Sequence, residues 1–281
     1  MSNALSFNGF CRSPWYGGRA DLAASVDAAA RAGFDLFAPD CLSLAHWYED
    51  GHSDADLART MRDAGIACGP LAACALLDGS ESALRQLERA AHAAVALGTT
   101  LLQVNLAAPT AETRRASVEQ ACRLLDEICA DASASLRLAI EYMPTSPLAT
   151  LAETLDIVAH VGAARAGALV DIWHHSHDPA GWETLAAAPL DAIAYVEFDD
   201  ALPPLADDPA AGTIAGIMAE MMERRTFPGE GVLPTARFAD LVRERGYRGL
   251  VSVEVLSREW LDRPLVEFAT RCRQSAARFW A

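Results

Sequence analysis

The sequence has no GxGxxG and no GxxxxGK[ST] segment. A doubly wound nucleotide-binding sheet wants such a glycine-rich turn after an early strand, so that architecture is disfavoured. No CxxC pair occurs among the seven cysteines, Cys11, Cys41, Cys68, Cys74, Cys122, Cys129 and Cys272. Their odd count and apolar settings point to reduced thiols, and hence to a cytoplasmic location, rather than to a disulfide scaffold. No apolar run approaches the roughly 20 residues of a membrane span. The opening "MSNALSFNGF" lacks the basic and then apolar stretches of a signal peptide. Positive charge is scarce: 23 Lys and Arg stand against 38 Asp and Glu, for a net charge of −15. An acidic surface repels phosphate backbones and anionic lipid, so neither nucleic acid nor a membrane is an expected partner.

What is there suits a large core: 281 residues, 52% of them hydrophobic. Eight short apolar runs, at 4–10, 34–39, 66–73, 100–108, 136–143, 167–173, 193–200 and 249–256, alternate with amphipathic, helix-like stretches. These stretches fall at 21–32, 53–64, 80–97, 110–132, 149–161, 182–188, 212–224, 234–245 and 264–280. The glycines of "AAARAGF", "MRDAGI" and "AVALGT" sit where a helix wants a left-handed cap. Runs that are apolar throughout suit parallel strands covered on both faces by helices. Eight β-then-α units, repeating about every 30 residues, predict an α/β fold, a (β/α)₈ TIM barrel. No shift in composition marks a boundary, so residues 1–281 read as a single domain.

In such a barrel the carboxyl ends of the strands form the reactive face. Four successive runs place an acid there: Glu141 in "LRLAIE", Asp171 in "GALVD", Glu197 in "IAYVE" and Glu254 in "LVSVE". An acid at a strand end often serves only to cap the next helix. Four in succession would repel strongly in a partly dry site unless a positive charge sat among them. A divalent cation meets that need, and oxygen-rich ligation favours Mn²⁺ or Mg²⁺ over zinc.

The segment "GALVDIWHHSHDPAGW", 167–182, holds three of the chain's seven histidines. His174, three residues after Asp171, is placed over the barrel mouth, either to bind a substrate oxygen or to donate to a metal-bound hydroxyl. His175 and His177 read as members of a solvated loop, and Trp173 as a packing residue or pocket wall. "RRTFPGEG", 224–231, forces a tight turn and brings Arg225 towards the mouth, where a guanidinium can grip substrate oxygens. The loops "CRSPWYGG", "DCLSLAHWYEDGH" and "DDALPPLADDPAAGT" are expected to set specificity. Trp15, Trp47 and Tyr48 read either as pocket walls or as ordinary surface packing.

Taken in order, "LAIEYMP", "LVDIWHH", "IAYVEFDDA", "RRTFPGEG" and "GYRGLVSVEV" resemble the xylose-isomerase-like TIM-barrel family, the sugar phosphate isomerase/epimerase group. The resemblance covers essentially the whole chain. It implies a divalent-metal-dependent isomerase or epimerase of a small sugar, ketose or cyclitol, working by proton abstraction beside a carbonyl and a metal-stabilised enediolate. By that resemblance Glu141 and Glu254 both hold the metal and shuttle the proton, Asp171 is a third ligand, and His174 matches a substrate contact. Position at the mouth adds Glu197 as the fourth ligand and Arg225 as a substrate-binding residue. Two positions depart from the family: Glu197 stands where His or Gln is usual, and Met143 where many members have His. A dehydratase or lyase on a cyclitol, a dehydroshikimate-like acid or an oxidised glycoside stays open, as does an inactive sugar-binding barrel. The expected partner is a small polyhydroxy molecule, and a homo-oligomer stays open too.

Overall fold

A computed structural model describes residues 3–17, 20–132, 134–204 and 212–280. Gly18 and residues 205–211, parts of two loops assigned above to specificity, lie outside the described residues. Eight parallel strands run β1 Leu5–Asn8, β2 Leu36–Ala38, β3 in two pieces, Ala67–Cys68 and Leu71–Leu77, β4 Leu101–Leu106, β5 Arg137–Glu141, β6 Ala166–Asp171, β7 Ile193–Glu197 and β8 Val251–Val253. Pairing follows chain order, and β8 returns to β1. The seam lies in β3. Ala67–Cys68 pairs with β2 and Leu71–Leu77 pairs with β4. A bridge from Asp40 to Ala72 and the bond from Gly69 N to Phe37 O close the barrel across the Gly69-Pro70 step. A Cβ on Gly69 would come within 2.6 Å of Ser6 Oγ, so a larger residue there would require Ser6 to turn away.

The covering helices are α1 Leu22–Ala32, α2 Cys41–Glu49, α3 Asp54–Ala64, α4 Glu81–Leu97, α5 Ala111–Ala132, α6 Leu151–Val161, α7 Ile172–Ser176, α8 Gly181–Ala187, α9 Ile214–Glu223, α10 Thr235–Glu244 and α11 Leu265–Trp280. Gly33, Gly65 and Gly98 take positive φ at the ends of α1, α3 and α4, as the sequence predicts. The "DCLSLAHWYEDGH" segment differs from its expected loop form. Asp40 accepts from Leu42 N and Ser43 N, which caps the helix Cys41–Glu49 within it. Trp47 there stacks on His52, and Tyr48 donates to Asp54, so both are surface packing. No helix among the described residues is long and apolar enough to cross a membrane.

Strand alternation places the site. Side chains two apart along a strand share a face. Ala139, Leu169 and Tyr195 pack together as one apolar group from β5, β6 and β7. Two residues further along each strand come Glu141, Asp171 and Glu197, so the carboxylates form the next layer on the same face. Asp171 lies directly opposite Glu197 in the ladder.

Candidate metal centre and active site

Each carboxylate in this layer is buried, and each is held by a different set of donors. Glu141 Oε2 accepts from Gln103 Nε2 at 2.6 Å and Asn105 Nδ2 at 2.8 Å. Its Oε1 lies 3.2 Å from His174 Nε2. Asp171 ends β6 and caps α7, with Oδ1 accepting from His174 N at 2.9 Å. The Asp-x-x-His spacing is therefore one helical turn, and it fixes His174 beside Glu141. Asn8 Nδ2, at the end of β1, donates to both Glu197 Oε1 at 2.9 Å and Glu254 Oε1 at 3.0 Å.

Arg225 is buried among these acids. Its Nε donates to Met221 O, and its Nη1 donates to Asp171 Oδ2 at 2.6 Å and to Asp199 Oδ2. Nη1 also lies 3.8 Å from Glu254 Oε2, and the guanidinium stands 5.5 Å from the Trp173 ring centroid. The turn expected at "RRTFPGEG" is held from below. Asp200 Oδ2 accepts from Gly229 N and Gly231 N, and its Oδ1 accepts from Leu233 N.

The carboxyls differ in proton affinity. Burial pushes Glu197 well above the usual carboxylate range, and the charges of Glu254, Glu141 and Asp171 add to the rise. Burial also pushes Glu254 up to about 8, against the pull of Arg225. Burial would raise Asp171 too, but Arg225 and then His174 hold it below its ordinary value. Asp199 shares the same guanidinium and is still pushed up by burial. Asp171 additionally accepts an N–H at the start of α7, whereas Asp199 Oδ1 is buried with no partner. The shared guanidinium thus favours the charged form of Asp171 more than that of Asp199.

This donor set fits a divalent metal. The ligand atoms of Glu141, Asp171 and His174 lie within 4.8 Å of one another, and so do those of Asp171, Glu197 and Glu254. Asp171 joins the two groups. Glu197 Oε2 and His174 Nδ1 are buried without a hydrogen-bond partner. An orphaned carboxylate oxygen inside a ring of acids is the arrangement a cation relieves.

Of the neighbouring histidines, His175 departs from the expected solvated loop, whereas His177 is exposed in the turn that follows α7. Residues 172–176 form α7, so His175 turns inward, 3.2 Å from the Tyr142 hydroxyl and against Trp182 and Phe238. His177 stacks on Trp173 and bonds to its carbonyl through Nδ1. Burial pushes His175 down to about 4 from an ordinary 6.5. The unfolded chain therefore binds a proton that the folded chain refuses, and stability is lost as pH falls from about 6.5 towards 4. The full difference amounts to roughly 3 kcal/mol. Denaturant titrations of the wild type and His175→Gln across that range should show the variant losing less stability with acid. Parallel losses would show that His175 titrates freely in the fold.

Several residues of this centre have weaker signals in the sequence. Gln103 and Asn105 alternate within the apolar "LLQVNL", a polar pair on one face of a buried strand. Gln103 Oε1 also accepts from Ala73 N, which holds Ala73 at a φ of 52° beside the pocket. That conformation is strained for a residue with a Cβ. Asn8 ends β1 as the acids end β5 to β7.

The chain belongs to the xylose isomerase-like TIM barrel family, whose model matches residues 26–275. An inosose isomerase of Halalkalibacterium halodurans is 25% identical over 127 residues, 44% of this chain and 41% of that protein, so the match spans less than half of either. The crystal structure of an IOLI protein with a bound zinc atom superposes with a TM-score of 0.81 at 18% identity, covering 100% of both chains. A D-allulose 3-epimerase from Methylomonas sp., solved in complex with D-allulose, superposes with a TM-score of 0.72 at 18% identity, covering 99% of this chain and 98% of that one.

Proposed function

We propose that this chain is a divalent-metal-dependent isomerase or epimerase of a small ketose, sugar or cyclitol. The observation that carries the reading is the pair of buried ligand groups joined at Asp171, with Glu197 Oε2 left unpartnered between acids. Family membership and the named activities of the inosose isomerase and the allulose epimerase support it.

Glu141, Asp171, Glu197 and Glu254 would hold the ion, with Mn²⁺ or Mg²⁺ favoured by the oxygen donors. A bound divalent ion supplies Lewis-acid polarisation of the substrate carbonyl. The protein's own groups do the rest. Glu254, which lines the cavity floor, would take a proton at its carboxylate from the carbon beside that carbonyl. Glu141, steadied by Gln103 and Asn105, is the second carboxylate through which a proton returns. Return to the same carbon gives an epimer, and return to its neighbour gives an isomer. His174 holds the substrate oxygen and stays buried beside Glu141. Arg225 borders the cavity as its fixed positive charge.

The test is metal analysis of the purified protein, followed by solvent-deuterium incorporation into a panel of ketoses, cyclitols and keto-acids with and without Mn²⁺. Metal-dependent exchange into a ketose or cyclitol, with a rearranged product, supports the proposal. Loss of water from a cyclitol or keto-acid would redirect it to a dehydratase. A protein that takes up no divalent metal would leave only a binding role. On an exchanging substrate, His174→Ala should lower turnover by about 10²-fold with an unchanged melting profile. Wild-type turnover in that variant would remove His174 from substrate contact.

A further inference from the structure

The cavity above the carboxylates encloses about 410 Å³. Among the described residues its floor is charged and its outer wall is apolar. Phe10, Trp15, Leu42, Leu76, Met143 and Met218 build that wall. Four of the chain's six methionines, Met143, Met218, Met221 and Met222, face this one cavity. Trp15, Leu42 and Leu76 are 58%, 39% and 53% exposed, and they make up half of the six large hydrophobic side chains left exposed among the described residues. Scattered exposed hydrophobics need no explanation, but three around one mouth mark a surface that a ligand covers.

Several polar groups nearby are already engaged, and His174 Nδ1, buried without a partner, faces the oxygenated end of a substrate on the carboxylates. Gln103 and Asn105 donate to Glu141, and Arg225 donates to Asp171, Asp199 and Met221 O. Above the floor, among the described residues, the polar lining side chain is Gln86, exposed on α4. A bare sugar carries a hydroxyl on nearly every carbon. Each hydroxyl pressed against thioether or aliphatic carbon, without a partner, loses its hydration uncompensated.

We propose that the substrate is an α-hydroxy carbonyl compound bearing an aromatic substituent, its oxygenated end on the carboxylates and its ring on the apolar wall. Aromatic fits better than alkyl. Trp15 and Phe10 bring aromatic rings to the lining, and methionine sulfurs make favourable contacts with ring edges. The unbranched methionine chains also conform to a flat group without strain. The orientation of the oxygenated end rests on the proton-transfer reading above, whereas the place of the ring rests on the wall alone.

Two ligands with the same head separate the terms: 2-hydroxyacetophenone, with a phenyl group, and hydroxyacetone, with a methyl. Calorimetry on the Mn²⁺-supplemented protein should show the phenyl ketone binding at least about tenfold tighter, from the apolar area of the ring. Trp15→Ser and Leu76→Ser alter exposed side chains and leave the core untouched. Together they should cut the preference to about threefold or less. A wild-type preference below about tenfold, or one that survives both substitutions, overturns the proposal. Deuterium exchange at the hydroxymethyl carbon, followed in the same samples, reports the chemistry separately. Ring preference without exchange keeps the aromatic site and removes the proton-transfer role. Exchange without ring preference does the reverse.

Discussion

Glu254→Gln is expected to lower solvent-deuterium exchange into the substrate by about 10³-fold while the protein stays folded. Glutamine keeps the shape of the side chain, and its amide oxygen can still accept from Asn8 Nδ2. It cannot take up a proton. Glu254 is suited to that task by its place in the floor of the cavity, held by Asn8 and 3.8 Å from Arg225. A second readout separates this role from a structural one. In the metal-free protein the folded carboxyl holds its proton up to about 8, while the unfolded one ionises near 4.5. Folded stability from this group is complete below about 4.5 and is lost as pH rises towards 8. Thermal melts of the metal-free wild type should therefore fall between pH 5 and pH 8, and those of Glu254→Gln should fall less. Glu141→Gln should lose exchange to a similar degree, since it too keeps its shape and loses its base. Wild-type exchange in Glu254→Gln would leave Glu141 as the sole proton carrier.

The centre was legible in the sequence where it follows from period and position. An acid at the end of an apolar run can be read as lying at the barrel mouth, because strand direction and the two-residue alternation leave few other places for it. Glu141, Asp171 and Glu197 stand there on one layer, and Glu254 follows one residue after β8. Contacts made by the return of the chain are not legible in this way. The ion pair of Arg225 with Asp199 depends on how the 224–231 turn folds back over β7, and Asn8 reaches acids 189 and 246 residues away. "HHSH" reads as a polar loop by composition, yet Asp171 caps it into a helix and His175 is sealed under Trp182. There local hydrogen bonding overrode composition. The short helix of "DCLSLAHWYEDGH" escaped for the same reason, since its stabilising contact is the Asp40 cap rather than a long apolar stripe. Of the apolar wall only Trp15 could be read as a candidate, because Phe10, Leu76, Met143 and Met218 join it only when separate units close around the axis.

Metal affinity should fall by about a hundredfold in Glu197→Ala and change by no more than about threefold in Glu197→Gln. Five buried carboxylates, Glu141, Asp171, Glu197, Asp199 and Glu254, surround the single guanidinium of Arg225. Like charges a few ångströms apart interact by several kcal/mol even at an effective dielectric near 20, so the metal-free centre keeps some of its protons. Glu197 and Asp199 are both pushed well above the usual carboxylate range, Glu197 by burial and then by its acidic neighbours. Asn8 satisfies Glu197 Oε1, and Oε2 is left without a partner beside Asp171 and Glu254. That oxygen is the atom offered to a cation. A glutamine retains a hard amide oxygen and the Asn8 contact, so position is preserved and one negative charge is removed. Alanine removes the donor and leaves a void. Proton accounting supplies an independent check: a Glu197 that is protonated when metal-free must release its proton on binding, whereas glutamine has none to release. Calorimetric titrations with Mn²⁺ in buffers of different ionisation enthalpy should therefore show more protons released by the wild type than by Glu197→Gln. If Glu197→Ala binds Mn²⁺ as tightly as the wild type and releases as many protons, Glu197 is not a ligand. The ion would then belong to the group of Glu141, Asp171 and His174.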